Sequence, residues 1–129
     1  MNDVRRLATA LSALLLLPLP LSAEVRLIMV EQPGCAYCMA WDDEIGPVYP
    51  KTAEGDFAPL QRAQLRDGPP EGVTYDRRVN FTPTFILVDD GTEVARLEGY
   101  PGEHFFWPVL SEMLAENTAF AERNTERSR

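Results

Sequence analysis

Val25-Arg26-Leu27-Ile28-Met29-Val30-Glu31-Gln32-Pro33-Gly34-Cys35-Ala36-Tyr37-Cys38-Met39-Ala40-Trp41 is the stretch whose reading decides the fold. Val25 to Val30 is nearly all apolar, as a strand covered on both faces is. Gln32-Pro33-Gly34 breaks it, and a helix can run from about Cys35 through Ile45. A Cys-x-x-Cys set between a strand and a helix is the context of a dithiol redox motif. Cys35 and Cys38 are the only two cysteines of the 129 residues, so all thiol chemistry is confined to this point. A structural staple is the weaker reading, because cysteines three positions apart close a tiny loop and restrict the unfolded chain little. Zinc is weaker still. A structural site takes four ligands, and the chain adds to its cysteines one distant histidine, His104.

Working outward, Gly46-Pro47 and Pro50 interrupt the helix, and Leu60 to Leu65 reads as a second strand. Asp67 to Gly72 is a loop by composition, and Val73 to Val79 has room for a short helix. Phe81-Thr82-Pro83 leads into Thr84-Phe85-Ile86-Leu87-Val88, a β-branched and aromatic run. Asp89-Asp90-Gly91-Thr92 is a hairpin signal, with Glu93 to Glu98 as the return strand. A final helix is predicted near Glu103 to Glu116, with Phe106, Leu110, Met113 and Leu114 on one face. Pro108 fits it if the helix begins near Phe105. From Ala119 the chain turns polar and charged and is expected to fray. Two strands joined by a helix suggest a parallel crossover and the last pair an antiparallel hairpin, so the class is α/β, a mixed central sheet flanked by helices.

The N-terminus reads as an export signal over residues 1–23. Arg5 and Arg6 precede an apolar run from Leu7 to Leu17, Pro18 and Pro20 end it, and Leu21-Ser22-Ala23 closes on a small residue. The run is short of the roughly 20 residues that span a bilayer. The expected organisation is a signal peptide 1–23, one domain 24–118 and a charged tail 119–129, with a periplasmic location. Of 12 basic and 20 acidic residues, Arg5, Arg6 and Asp3 fall in the signal, leaving 10 and 19 and a net charge of −9. So acidic a chain is a poor nucleic-acid binder, and its surface suits a partner with basic patches. Arg77-Arg78, the only basic pair in the body, reads as solvated surface.

These features together resemble the thioredoxin superfamily. Cys35-Ala36-Tyr37-Cys38 occupies the redox-motif position. Thr82-Pro83 stands before a buried strand, where these proteins place a cis-proline against the disulfide, and Gly99 follows the hairpin strand. The resemblance covers Val25 to Glu116 and implies a thioredoxin-like fold. The chain departs from thioredoxin in having no Trp-Cys-Gly-Pro-Cys and in placing Met29 where thioredoxin keeps a buried acid; Glu31 is the nearest carboxylate. Pro-Gly-Cys-Ala-Tyr-Cys, Trp41 and Glu44 to Thr52 are similar to the SoxS-type periplasmic thioredoxin-like proteins of sulfur oxidation.

That resemblance implies a thiol–disulfide oxidoreductase that reduces a partner protein, notably the sulfur-carrier protein of the Sox system. Its electron donor would be a membrane or periplasmic thiol protein. Cys35 is the expected nucleophile and Cys38 the resolving thiol. Tyr37, Thr82 and Pro83, the last in a cis peptide, are the expected substrate-binding residues. No cofactor and no metal are implied, and a monomer is expected. Two other functions stay open: a disulfide oxidase or isomerase, and a non-catalytic regulatory module on the same scaffold. Trp41, Phe105, Phe106 and Trp107 read as packing, Asp42 to Glu44 as a solvated helix face and His104 as surface.

Overall fold

A computed structural model describes residues 24–129; the predicted signal segment lies outside the described residues. Four strands form the sheet: β1 (Val25–Glu31), β2 (Leu60–Gln64), β3 (Thr84–Asp89) and β4 (Thr92–Glu98), in the order β2-β1-β3-β4. β1 runs parallel to β2 and antiparallel to β3, and β3 pairs antiparallel with β4. The helices are α1 (Ala36–Glu44), α2 (Ala53–Phe57), α3 (Glu103–Asn117) and α4 (Phe120–Arg127), with a 3₁₀ turn at Tyr49–Lys51.

The apolar runs in β1 and β3 are continuous because both faces of the sheet are covered. Alternate side chains serve different cores. Val25, Leu27, Met29, Phe85 and Leu87 pack with Trp41, Phe106, Leu110 and Leu114 of the helices. Ile28, Val30, Ile86 and Val88 pack on the opposite face with Ala63, Val73 and Val79. Trp41 is the hub of the first core. Its ring centroid lies 5.5 Å from Phe85 and 5.9 Å from Phe106. Burying one such side chain contributes about 1.5–3 kcal/mol.

The second core is closed by chain 65–83, and here the structure departs from the sequence reading. Val73 to Val79 forms no helix. Thr74 instead bridges Thr92 on the free edge of β4, its amide donating to the Gly91 carbonyl (2.8 Å) and its carbonyl accepting from the Glu93 amide (3.0 Å). An open strand edge offers unpaired backbone groups, and this segment fills them. Arg96 fixes the same segment. Its guanidinium donates to the Glu93 carboxylate at 2.6 and 2.8 Å and to the Arg77 carbonyl at 2.8 Å. The side chains of Arg96 and Glu93 are both only 4% exposed.

Further features differ from expectation. α2 was hidden between prolines; Thr52 caps it, its hydroxyl accepting from the Gly55 amide at 3.0 Å. α3 begins at Glu103 as expected, the Gly102 carbonyl accepting from the Phe105 and Phe106 amides, but Phe105, expected to pack, is 66% exposed. Pro108 is inside the helix, exposed, and offers no amide to the His104 carbonyl. Beyond Ala119 the chain does not fray but forms α4. Phe120 is buried against Phe57 (centroids 5.3 Å apart), Arg123 lies over the same ring, and Arg127 pairs with Asp56 at 2.8 Å. One apolar residue was enough to dock a polar helix, so composition alone misread it.

Two measurements check this packing. A Cβ on Gly55 would stand 1.9 Å from the Tyr49 carbonyl oxygen, a clash with backbone that no side-chain shift relieves. Gly55→Ala is expected to lower stability by about 1–3 kcal/mol, read as a lower urea midpoint. Burial opposes the charge on Glu93, but hydrogen bonds from Arg96 and the Asp76 amide outweigh it and hold its pKa below the ordinary 4.5. A carboxylate with a depressed folded pKa stabilises above its unfolded pKa and loses that contribution as pH falls through the folded value. Urea midpoints should therefore decline as pH falls below about 4.5, and Glu93→Gln should be less stable at pH 7 with a shallower acid decline. An unchanged acid profile would refute the assignment.

Candidate redox site

Cys35 is the residue before α1, and its extended backbone makes it the helix N-cap. Pro33 and Gly34 turn the chain out of β1, Gly34 at φ 78°, a conformation open to glycine without strain. Cys35 and Cys38 are joined as a disulfide, with Cα atoms 5.2 Å apart. Cys38 is buried at 4% exposure, whereas Cys35 is partly exposed. The Cys38 amide donates to the Cys35 Sγ at 3.1 Å. No acidic side chain stands in the first turn of α1. Free amides and the helix dipole there favour negative charge on whichever atom caps the helix.

The second wall of the site comes from the chain before β3. The Thr82–Pro83 peptide is cis and Pro83 is buried. Val30 of β1 pairs with Thr84 of β3, so the two loops leave the same end of the sheet. They are tied directly: the Gln32 side-chain amide donates to the Thr82 hydroxyl at 2.8 Å. A third loop joins them, with the Gly99 amide donating to the Pro83 carbonyl at 2.7 Å. Thr84, fully buried in the core, satisfies its hydroxyl by donating to the Phe81 carbonyl at 2.8 Å.

Tyr37 is 66% exposed between the cysteines, and Phe81, beside Thr82, is 62% exposed. Both present aromatic surface at this end of the sheet. Cys35 and Cys38 at the head of α1 thus share one end of the sheet with the loop that carries Thr82 and Pro83, and Tyr37 faces solvent.

Met29 is wholly buried, and no carboxylate takes its place. Glu31, the nearest acid in sequence, accepts from Arg62 at 2.7 Å, and the same guanidinium donates to Asp42 at 2.6 Å. Asp42 and Glu44 are accordingly engaged rather than merely solvated, Glu44 accepting a short hydrogen bond from the Tyr100 hydroxyl. Burial of the Tyr100 ring, then that bond, push its hydroxyl pKa up. These two contacts fasten both sides of the last turn of α1, where a negative charge is otherwise unfavourable. Gln32, Arg62 and Tyr100 were not legible beforehand, since each acts through a partner far away in sequence.

Comparison with known proteins agrees with this geometry. A thioredoxin-like domain model matches residues 22–114. The crystal structure of the periplasmic thioredoxin SoxS from Paracoccus pantotrophus, in its reduced form, is 56% identical to this chain. That match covers 71% of this chain and 97% of SoxS, with a TM-score of 0.70. The thioredoxin of Malassezia sympodialis (Mala s 13) is 19% identical over 71% of this chain and 76% of that one, with a TM-score of 0.49. The curated proteins yield no match. A cysteine pair closed as a disulfide at the head of α1, within a matched domain of this kind, makes the chain a thiol–disulfide oxidoreductase that belongs to the thioredoxin-like family.

Proposed function

We propose that the chain works in the periplasm as a dithiol reductase of a partner protein, the sulfur-carrier protein of a Sox sulfur-oxidation system. The observation that carries this reading is the 56% identity to a periplasmic SoxS across 97% of that protein's length. Export of a mature chain beginning near Glu24 belongs to the same proposal.

The chemistry assigned to the site is two successive exchanges. In the reduced protein the Cys35 thiolate attacks a sulfur of the partner's disulfide or thiol adduct; the S–S bond there breaks and the leaving sulfur departs as a thiolate. Cys38 then attacks Cys35 Sγ. The Cys35–Cys38 disulfide forms and the partner leaves with its cysteine reduced. Two electrons have passed to the partner, and a donor dithiol restores them. The unequal exposure of the two sulfurs supports this order, since an incoming disulfide reaches Cys35 and not Cys38. The Cys38 amide that now donates to Cys35 Sγ would donate to the thiolate and stabilise its charge. Tyr37, Thr82 and Pro83 are assigned to partner contact. With Gln32 holding the Thr82 hydroxyl, the backbone beside Pro83 is positioned for an extended partner segment.

Two variants test the roles and the partner together. Cys35→Ser should lose reductase activity on a protein disulfide to background, with its urea midpoint close to that of the reduced parent. Cys38→Ser retains the attacking thiol but lacks the resolving one, so a mixed disulfide through Cys35 should accumulate. Used as bait in the native periplasm, it should capture the sulfur carrier in a form released by reductant. Substantial turnover by Cys35→Ser would reverse the assignment. Capture of many unrelated secreted proteins would replace the dedicated reductase with a general one.

A further inference from the structure

A cavity of about 820 Å³ opens beside the cysteine loop, on the face of the sheet opposite the helices. Gln32 and Pro33 line it from the chain leading into Cys35, and Arg66, Tyr75, Arg77 and Arg78 line it from segment 65–83. We propose that this groove binds an acidic segment of the partner polypeptide, flanking the cysteine that Cys35 attacks. The inference rests on the disulfide-exchange reading above and adds to it the chemistry by which the partner is recognised.

The charge distribution carries the argument. Residues 24–129 hold 10 basic and 19 acidic side chains, yet the lining contains three arginines and no carboxylate. These charges are only partly spoken for. Arg77 pairs with Glu98 at 2.9 Å, and Arg66 stands 3.6 Å from Asp67 with both side chains largely exposed, a contact of little strength. Among the described residues Arg78 has no ion-pair partner. The backbone that bears the arginines is held in place, because the carbonyls of Arg77 and Arg78 both accept from the buried Arg96 guanidinium. A cationic wall on an anchored loop binds without first being ordered. Tyr75 adds a buried hydroxyl with no hydrogen-bond partner, an unmet donor among the lining residues.

Position ties the groove to the redox site. Gln32 both lines the cavity and holds Thr82, and it stands three residues before Cys35. Three residues span at most about 10 Å. A partner chain joined to Cys35 Sγ therefore reaches the groove with residues about three to six positions from its own cysteine. The overall charge of the protein opposes an acidic partner, but at about 0.15 M salt the screening length is near 8 Å. Carboxylates beyond that distance are screened; Glu98 and Asp67 lie within it beside Arg77 and Arg66, so Arg78, without an ion-pair partner among the described residues, carries the uncompensated charge of the groove.

The experiment uses three peptides, each carrying one cysteine in mixed disulfide with a fluorescent thiol, with Glu, Ser or Lys at the third to sixth positions. At about 0.15 M salt the reduced protein should release the fluorophore from the Glu peptide with a kcat/KM about tenfold above that for the Ser peptide. The double variant R66E/R78E should invert the order in favour of the Lys peptide, and R66Q/R78Q should bring the Glu and Ser peptides level. Equal rates for all three peptides, or a Glu preference that survives in both variants, would overturn the groove while leaving disulfide exchange standing. Absence of exchange with every peptide would overturn the exchange reading and this inference with it.

Discussion

The pairing of β1 with β3 in one register is the constraint on which the rest depends. Both strands are buried on both faces, so each side chain is committed to one of two cores. A slip of one residue would send Leu27 and Met29 into the space shaped for Ile28 and Val30 and break both cores at once. That commitment fixes Val30 opposite Thr84. From that pair the chain runs one way into the cysteine loop and the other way back into Thr82 and Pro83. The redox site is thus the consequence of a packing decision made several residues away. The Gln32–Thr82 and Gly99–Pro83 hydrogen bonds hold an arrangement the sheet has already imposed.

The two faces of the sheet are covered by different means, with different consequences. The helix face is closed by aromatic packing around Trp41, which seats α1 and with it the cysteines. The other face is closed by a segment without an α-helix, whose own backbone groups need partners. The edge of β4 and the buried Arg96–Glu93 pair supply them. Removing one member of such a pair leaves a buried charge uncompensated, which costs about 3–5 kcal/mol. The segment is irregular yet anchored, and irregular backbone leaves the sheet incompletely covered near the cysteine loop. The groove lies where that coverage is incomplete.

What could be read in advance was what periodicity encodes. β1, β3 and the buried face of α3 follow from apolar patterns, and the hairpin turn, with β4 as its return strand, from Asp90-Gly91, both of which take positive φ. The cysteines were legible because their spacing and their place between strand and helix are local. The cis-proline followed from resemblance, not from any local signal. α4 was missed because its docking depends on Phe57, more than sixty positions earlier, and α2 because prolines around it masked a cap at Thr52. The fold of segment 65–83 was missed for a similar reason: Arg96 and Glu93 look like solvated strand residues until a loop lies over them. Arg77-Arg78 was read as plain surface because sequence does not show that the stretches around Arg66 and Gln32 converge on it.

An acidic protein with one basic groove has a physical advantage over a neutral one with the same groove. A carboxylate-rich segment is repelled over most of the surface and attracted at one place, so unproductive orientations are disfavoured as well as the productive one favoured. The same body charge discourages acidic proteins that lack a reachable cysteine from lingering, since they gain the arginines without the exchange. Recognition of this kind constrains the partner at two points, the sulfur at Cys35 and a charge about three to six residues along. Each contact alone is weak. Held on adjacent rigid elements, the second becomes intramolecular once the first has formed, and its effective concentration rises accordingly. A shallow disulfide site thereby discriminates between partners that present identical sulfur chemistry.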